Sequence, residues 1–227
     1  QQYRLQRGDR KLFGDLFGRS CGGDRRNREI IVGAGAGGCR IHTRARSRIE
    51  VKFDLQPTLI GSLVSLRPLG RGDYENLFAV ASDPLIWEQH PEPNRWQRPV
   101  FEALFERLLE SGGALLVQET SSGAVIGSSS YYAWNPEAND VVIGYTFLTR
   151  RVWGGRYNAE LKRLMVDHAC RFVDRVWFHV GNGNRRSQIA MTKIGARLSH
   201  EAVRESGGVT TSFLHYVIER DSWPEKQ

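Results

Sequence analysis

The sequence has little cysteine, no long apolar run and, over its first quarter, neither proline nor tryptophan. Three cysteines in 227 residues, Cys21, Cys39 and Cys170, are odd in number and widely spaced, which excludes a disulfide framework and gives no zinc-ligand spacing. No metal is expected, and a reducing cytoplasm is the expected compartment. No stretch approaches the roughly 20 apolar residues of a membrane span, and Gln1 to Phe17 lacks the continuous apolar segment of a secretory signal, so no membrane partner is expected. What is present is globular in kind. The 40% hydrophobic, 25% charged and 10% aromatic content sits outside collagen-like and wholly disordered chains. The length fits one domain with an appendage better than two full domains.

The formal net charge of +7 is unevenly placed. Residues 1–54 hold 13 Lys plus Arg against 6 Asp plus Glu, whereas residues 55–227 hold 19 of each. The first segment is Arg-rich, carries nine glycines and shows no sustained apolar period, so it buries too little surface to offset its ordering entropy. It reads as a basic, disordered extension. Gly33, Gly35 and Gly38 have the G-x-G-x-x-G spacing of a dinucleotide fold, and Asp54 falls where a ribose carboxylate would be wanted. The residues after them, Cys39 to Arg48, offer almost nothing to pack on a sheet, and no further βαβ units follow, so a flexible Gly-rich segment is the better reading. No aromatic residues interleave its arginines, and no nucleic-acid partner is expected.

From Thr58 the texture changes. Alternation in Leu63 to Leu69 predicts a strand stopped by Pro68. Asp73 is placed to cap a short helix to about Ser82, and Asp83-Pro84 opens another turn through Trp87. Pro91, Pro93 and Pro99 enforce a loop before a helix carrying Phe101, Leu104, Phe105 and Leu108, ended by Gly112-Gly113. Three strands follow as an antiparallel meander, 114–119, 124–132 and 141–148. Next come a helix through Leu161, Met165 and Phe172, a strand from Val176 to Val180, a helix from about Asn184 to Gly195, and two closing strands, 196–203 and 209–218. The order β, α, α, β, β, β, α, β, α, β, β predicts an α+β fold, a mixed, mostly antiparallel twisted sheet wrapped by helices on both faces.

The chemistry is expected where the third meander strand runs into the helix, Thr149-Arg150-Arg151-Val152-Trp153-Gly154-Gly155-Arg156-Tyr157-Asn158. Free backbone N–H groups, the positive end of a helix dipole and several guanidinium groups meet there, as a pyrophosphate cradle requires. A tight turn with solvated arginines is the alternative. The second constellation is Val176 to Ser187 with its Asn184-x-x-Ser187 helix start, closed by Lys193-Ile194-Gly195-Ala196. Together with Val64-Ser65-Leu66-Arg67-Pro68-Leu69, Ile143-Gly144-Tyr145-Thr146 and Asp221-Ser222-Trp223-Pro224, these segments resemble the GNAT family of acetyl-CoA-dependent N-acetyltransferases. The resemblance covers about residues 59–224 and is nearest the branch that includes the ribosomal-protein N-terminal acetyltransferases.

The resemblance implies a GNAT N-acetyltransferase domain over 58–224, with strands 141–148 and 176–180 parallel but splayed around the donor co-substrate acetyl-CoA. Backbone groups of Phe147, Leu148 and Thr149 would hold the pantetheine arm. Arg151, Trp153, Gly154, Gly155, Arg156, Tyr157 and Asn158 would cradle the pyrophosphate. Asn184 would bond the pantetheine or serve as a helix cap, Ser187 would face the sulfur, and His179 is a candidate for proton transfer beside Glu88, His90 and Asp140. Three positions depart from the family pattern. Arg156 and Asn158 replace small residues, Met191 stands where a Tyr can protonate the thiolate, and Val142 stands where many relatives have a Glu base. The implied reaction is direct attack of an amine on the thioester, the amine being a peptide N-terminus or a small molecule. A low-pKa amine is preferred because it arrives partly neutral. A GNAT-fold acyl-CoA-binding module without catalysis is the alternative. The expected assembly is a monomer or homodimer.

Overall fold

The computed structural model describes residues 52–206 and 209–224. Residues 1–51, which include the glycine-rich motif and most of the expected basic extension, lie outside the described residues. The elements are β1 (Leu59–Ile60), β2 (Val64–Pro68), α1 (Tyr74–Ala81), α2 (Arg98–Glu110), β3 (Ala114–Glu119), β4 (Val125–Asn135), β5 (Asp140–Leu148), α3 (Tyr157–Ala169), β6 (Arg175–Gly181), α4 (Arg185–Lys193), β7 (Arg197–Ser206) and β8 (Val209–Glu219). They follow the expected order, with the two-residue β1 added. The eight strands form one sheet in the order β1-β2-β3-β4-β5-β6-β8-β7. Every neighbouring pair is antiparallel except β5 and β6.

Two apolar cores account for the layering. On one face Leu77 and Ala81 of α1 and Phe101, Leu104, Phe105 and Leu108 of α2 close over Leu116 and Phe147. On the other, Leu161, Met165 and Ala169 of α3 and Met191 of α4 close over Val141, Ile143, Val176 and Phe178. The helical spacing of the first set and the strand alternation of the second are what bury one stripe of each element. Met191 is part of this packing at 4% exposed, so the position sometimes held by Tyr serves the core here.

Two expectations are corrected. Asp73 does not cap α1 through its side chain. Its carboxylate accepts instead from Gly70 N at 2.8 Å and from Arg67 Nη1 and Nη2 at 2.9 and 2.6 Å, because Asp73, although directly before α1, ends the helical turn Arg71–Asp73, which folds its side chain back onto Gly70. The packed chain also begins before Thr58. Phe53 is buried, stacked on Phe172 at 5.1 Å and edge-on to Tyr131 at 5.3 Å, and the Asp54 carbonyl lies 2.7 Å from His168 Nε2.

Candidate active site

The parallel pair is short. β5 and β6 pair through Asp140 with Arg175, Val141 with Val176 and Val142 with Trp177, and no further, although β5 continues to Leu148 and β6 to Gly181. Val142 thus stands at the last rung of a wedge that opens between two strand edges. Against β4, the pairs Ser128 with Phe147 and Ser130 with Gly144 leave an extra residue in β5, and Tyr145 in this bulge has φ of 51°. A bulge here re-aims the strand just where the wedge widens. The wedge is one side of a cleft of about 320 Å³.

The floor of the cleft runs from Thr146, Phe147 and Leu148 to the turn before α3. Trp153 Nε1 donates to the Leu148 carbonyl at 2.9 Å and folds the turn back on the strand. Gly154 has φ of 70°, a conformation that side chains resist, and a β-carbon on it would meet no atom within 4 Å. Open space therefore lies over the turn. No described residue accepts from the N–H groups of residues 154–159; the first helical bond is Glu160 N to Arg156 O. This row of free donors at a helix start fits a diphosphate.

The structure brings some of the expected residues together and not others. Phe147, Leu148, Trp153, Gly154, Gly155, Asn158, Asn184 and Ser187 line the cleft. Thr149, Arg151, Arg156, Tyr157 and His179 do not. The Thr149 N–H is taken by the Ile126 carbonyl. Arg151 makes a two-pronged pair with Glu119 at 2.9 and 3.1 Å, and Tyr157 Oη donates to the same carboxylate at 2.9 Å. Arg151, with Ser122 and Tyr157, holds the Glu119 carboxyl down at about 2. The arginine expected at phosphate is thus already neutralised, and Arg156 is exposed outside the lining.

The opposite wall comes from α4 and the segment 83–97. Asn184 Oδ1 caps α4 by accepting from Ser187 N at 3.1 Å. Arg186 stacks over Trp153 at 4.2 Å and donates to Glu88 at 3.0 Å, joining this wall to the turn and occupying one candidate base. Ala190 and Lys193 lie one and two turns along the same face of α4 and also line the cleft. The 186, 190, 193 spacing in the sequence carries that signal. His90 lines the cleft too, but its Nδ1 accepts from Glu92 N at 2.9 Å. Burial, with Arg95 nearby, pushes it down to about 3.

His179 sits elsewhere. It stacks on His215 at 3.9 Å, His215 packs on His200 at 4.5 Å, and His179 Nδ1 lies 3.3 Å from both Tyr132 Oη and Arg204 Nη2. Burial, His215 and Arg204 push its imidazole down to about 3. So weak a base does not fit the proton-transfer role expected of it. Among the described residues no group of three His, Cys, Asp or Glu side chains is placed to hold a metal.

Two ionisable residues of α3 were not foreseen. Glu160 accepts from Ser62 N and Oγ at 3.0 and 2.6 Å, Leu63 N at 2.6 Å and Val64 N at 2.8 Å. Burial pushes its carboxyl up, but these donors outweigh it and leave the group below its ordinary value. Lys162, 3% exposed, places Nζ 2.6 Å from Thr146 Oγ1.

A splayed parallel pair, a row of free N–H groups and a capped facing helix define an acyltransferase-type cleft, and comparison with known proteins agrees. The family profile described as "Acetyltransferase (GNAT) domain" matches residues 64–197, more than half of the chain, and the chain belongs to that family, whose general reaction is acyl transfer from acetyl-CoA. Solved structures share the fold. A GCN5-related N-acetyltransferase from Brucella melitensis aligns with TM-score 0.65 at 20% identity over 74% of this chain and 81% of that one. RimJ of Mycobacterium smegmatis, solved with CoA-disulfide, aligns with TM-score 0.59 at 16% identity over 74% and 88%. A spermidine N-acetyltransferase from Vibrio cholerae, solved with CoA and spermine, gives 0.57 at 16% identity over 71% and 98%. The search of curated proteins found no match.

Proposed function

We propose that this chain transfers the acetyl group of acetyl-CoA to the amine of a peptide N-terminus or of a small molecule of similarly low pKa, in the manner of the branch that includes the ribosomal-protein N-terminal acetyltransferases. The observation that carries the reading is the continuity of the β5–β6 wedge with the free N–H groups of residues 154–159. Unpaired strand edges suit the two amides of a pantetheine arm as they suit an added strand, and the N–H row suits its diphosphate. Gly154 and Gly155 keep that approach open, while Lys193 supplies charge at the rim.

The amine must arrive neutral to attack. A lysine ε-amine of pKa about 10.4 is neutral at pH 7 in fewer than one molecule in a thousand, and a peptide α-amine of pKa about 7.7 to 8.0 in roughly one in ten. Ordered backbone around the wedge then supplies positioning and hydrogen bonds to the developing oxyanion.

Calorimetry with CoA and a thiol-release assay over α-amine peptides, small amines, lysine side chains and spermine test the reading. Binding with turnover of α-amines is expected. Binding without turnover of any amine would leave an acyl-CoA-binding module, and efficient acetylation of lysine side chains at pH 6.5 with α-amines ignored would overturn the acceptor class.

A further inference from the structure

Lys162 is an ionisable group on the sheet-facing side of α3 that stands at the wedge with no charged partner among the described residues. Its Nζ lies 2.6 Å from Thr146 Oγ1 and 5.4 Å from the centre of the Phe178 ring. Thr146 Oγ1 lies in turn 2.7 Å from Ser129 Oγ, and Ser129 is fully buried. Thr146 itself lines the cleft in the β5 bulge segment. A buried lysine kept only to tie α3 to β5 would be a poor device, since an ammonium withdrawn from water without a carboxylate destabilises the fold and an apolar side chain would fill the space better. Lys162 Nζ donates to Thr146 Oγ1 in this structure, and as a neutral amine it can reverse that bond by offering its lone pair to the same hydroxyl.

Resting on the acetyl-transfer reading, we infer that Lys162 relays the transferred proton through the Thr146 hydroxyl, taking the place of the base and acid missing at Val142 and Met191. As the acceptor nitrogen forms its bond to the acetyl carbon, its proton passes to Thr146 Oγ1 while the Thr146 proton passes to Lys162 Nζ. The carbon–sulfur bond breaks with its electron pair going to sulfur. Lys162 then returns the proton through Thr146 to the sulfur and is neutral again. The products are the amide and the free thiol, and no oxidant or reductant enters. Thr146 is the catalytic residue in this scheme, and Lys162 acts through it.

Burial alone pushes the Lys162 amine down to about 7. What faces it from β4, β5 and β6 are the Ser129 and Thr146 hydroxyls and the Phe178 ring, with no charged group among the described residues contributing to the shift. A relay of that basicity matches an α-amine of pKa about 7.7 to 8.0 far better than a lysine side chain of about 10.4.

The test combines a measurement without turnover and one with it. Protein carrying 13C at lysine Cε is titrated by NMR, the Lys162 signal being assigned by its loss in Lys162→Met. Thiol release from acetyl-CoA is followed from pH 5.5 to 9 with a tripeptide amide bearing a free α-amine, and also without acceptor, while CoA affinity is measured by calorimetry. A midpoint near 7 is expected for Lys162. Lys162→Met and Thr146→Val should each lower kcat about 100-fold, leave CoA affinity within twofold and abolish the pH-dependent limb near 7. Thr146→Ser should recover activity to within about threefold. A Lys162 midpoint above 9, or a folded Lys162→Met or Thr146→Val protein with wild-type kcat and pH profile, would overturn the relay alone. Wild-type protein that binds no CoA would instead overturn the acetyl-transfer reading and the relay with it.

Discussion

Glu160, half-buried, and Lys162, buried, stand two residues apart on α3, and the molecule treats them in opposite ways. At the seam with β2, Glu160 is met by three backbone N–H groups and a hydroxyl, which fixes it as a carboxylate and fixes the start of the sheet to the helix. At the seam with β5, Lys162 is met by one hydroxyl and an aromatic ring. A buried charge that is saturated with partners belongs to the scaffold, whereas a buried ionisable group left without a counter-charge is held ready to exchange a proton. The exposed rim between them follows a third pattern. Three of its arginines are spent on nearby carboxylates, Arg150 on Asp83, Arg151 on Glu119 and Arg186 on Glu88, so the proposed reading gives phosphate recognition to backbone N–H groups and Lys193.

The largest effect should come from breaking the saturated side. Glu160→Ala strands backbone donors at the start of β2 and should lower stability by about 3 kcal/mol, read in urea denaturation, with Glu160→Gln recovering part of it. Because the folded-state carboxyl sits below its unfolded value of about 4.3, its contribution is complete above that pH and is lost as pH falls through the folded value. The stability difference between wild type and Glu160→Gln should therefore shrink below about pH 4.3. Lys162→Met should by contrast melt within a few degrees of wild type, since an apolar side chain replaces an unpaired buried amine. At the rim, Gly154→Val forces a branched side chain to φ of 70° over the N–H row, and should weaken CoA binding at least about tenfold, near 1.4 kcal/mol, in a protein that still folds. Lys193→Ala should weaken it about fivefold, more at low salt than at high. Arg151→Ala, removing a group already paired with Glu119, should change CoA affinity by less than about twofold.

Much of this was legible in the chain and some of it was not, for reasons that differ by residue. Helical spacing in Phe101, Leu104, Phe105 and Leu108, and strand alternation in Val64, Ser65 and Leu66, located elements because one buried stripe imposes the period. Gly154 was singled out through the family resemblance, and the structure gives it the positive φ of 70° that glycine tolerates at the entrance to α3. Arg151 and Tyr157 misled because sequence shows a charge but not its partner, and Glu119 lies about 30 residues away on β3. His179 misled in the same way, since its place on a strand at the cleft could not show the imidazole stack with His215. Lys162 was invisible because a lysine within an amphipathic helix reads as a solvated position, and only the closeness of Thr146 makes it otherwise. Phe53 was missed because an aromatic next to a charged, glycine-rich stretch looks like part of it.

The most direct test of the division between a binding rim and a reacting floor is CoA calorimetry on wild type, Gly154→Val and Lys162→Met in one series. The account predicts that Gly154→Val binds at least about tenfold more weakly and that Lys162→Met stays within twofold of wild type. Unchanged affinity in Gly154→Val, or a loss confined to Lys162→Met, would contradict it.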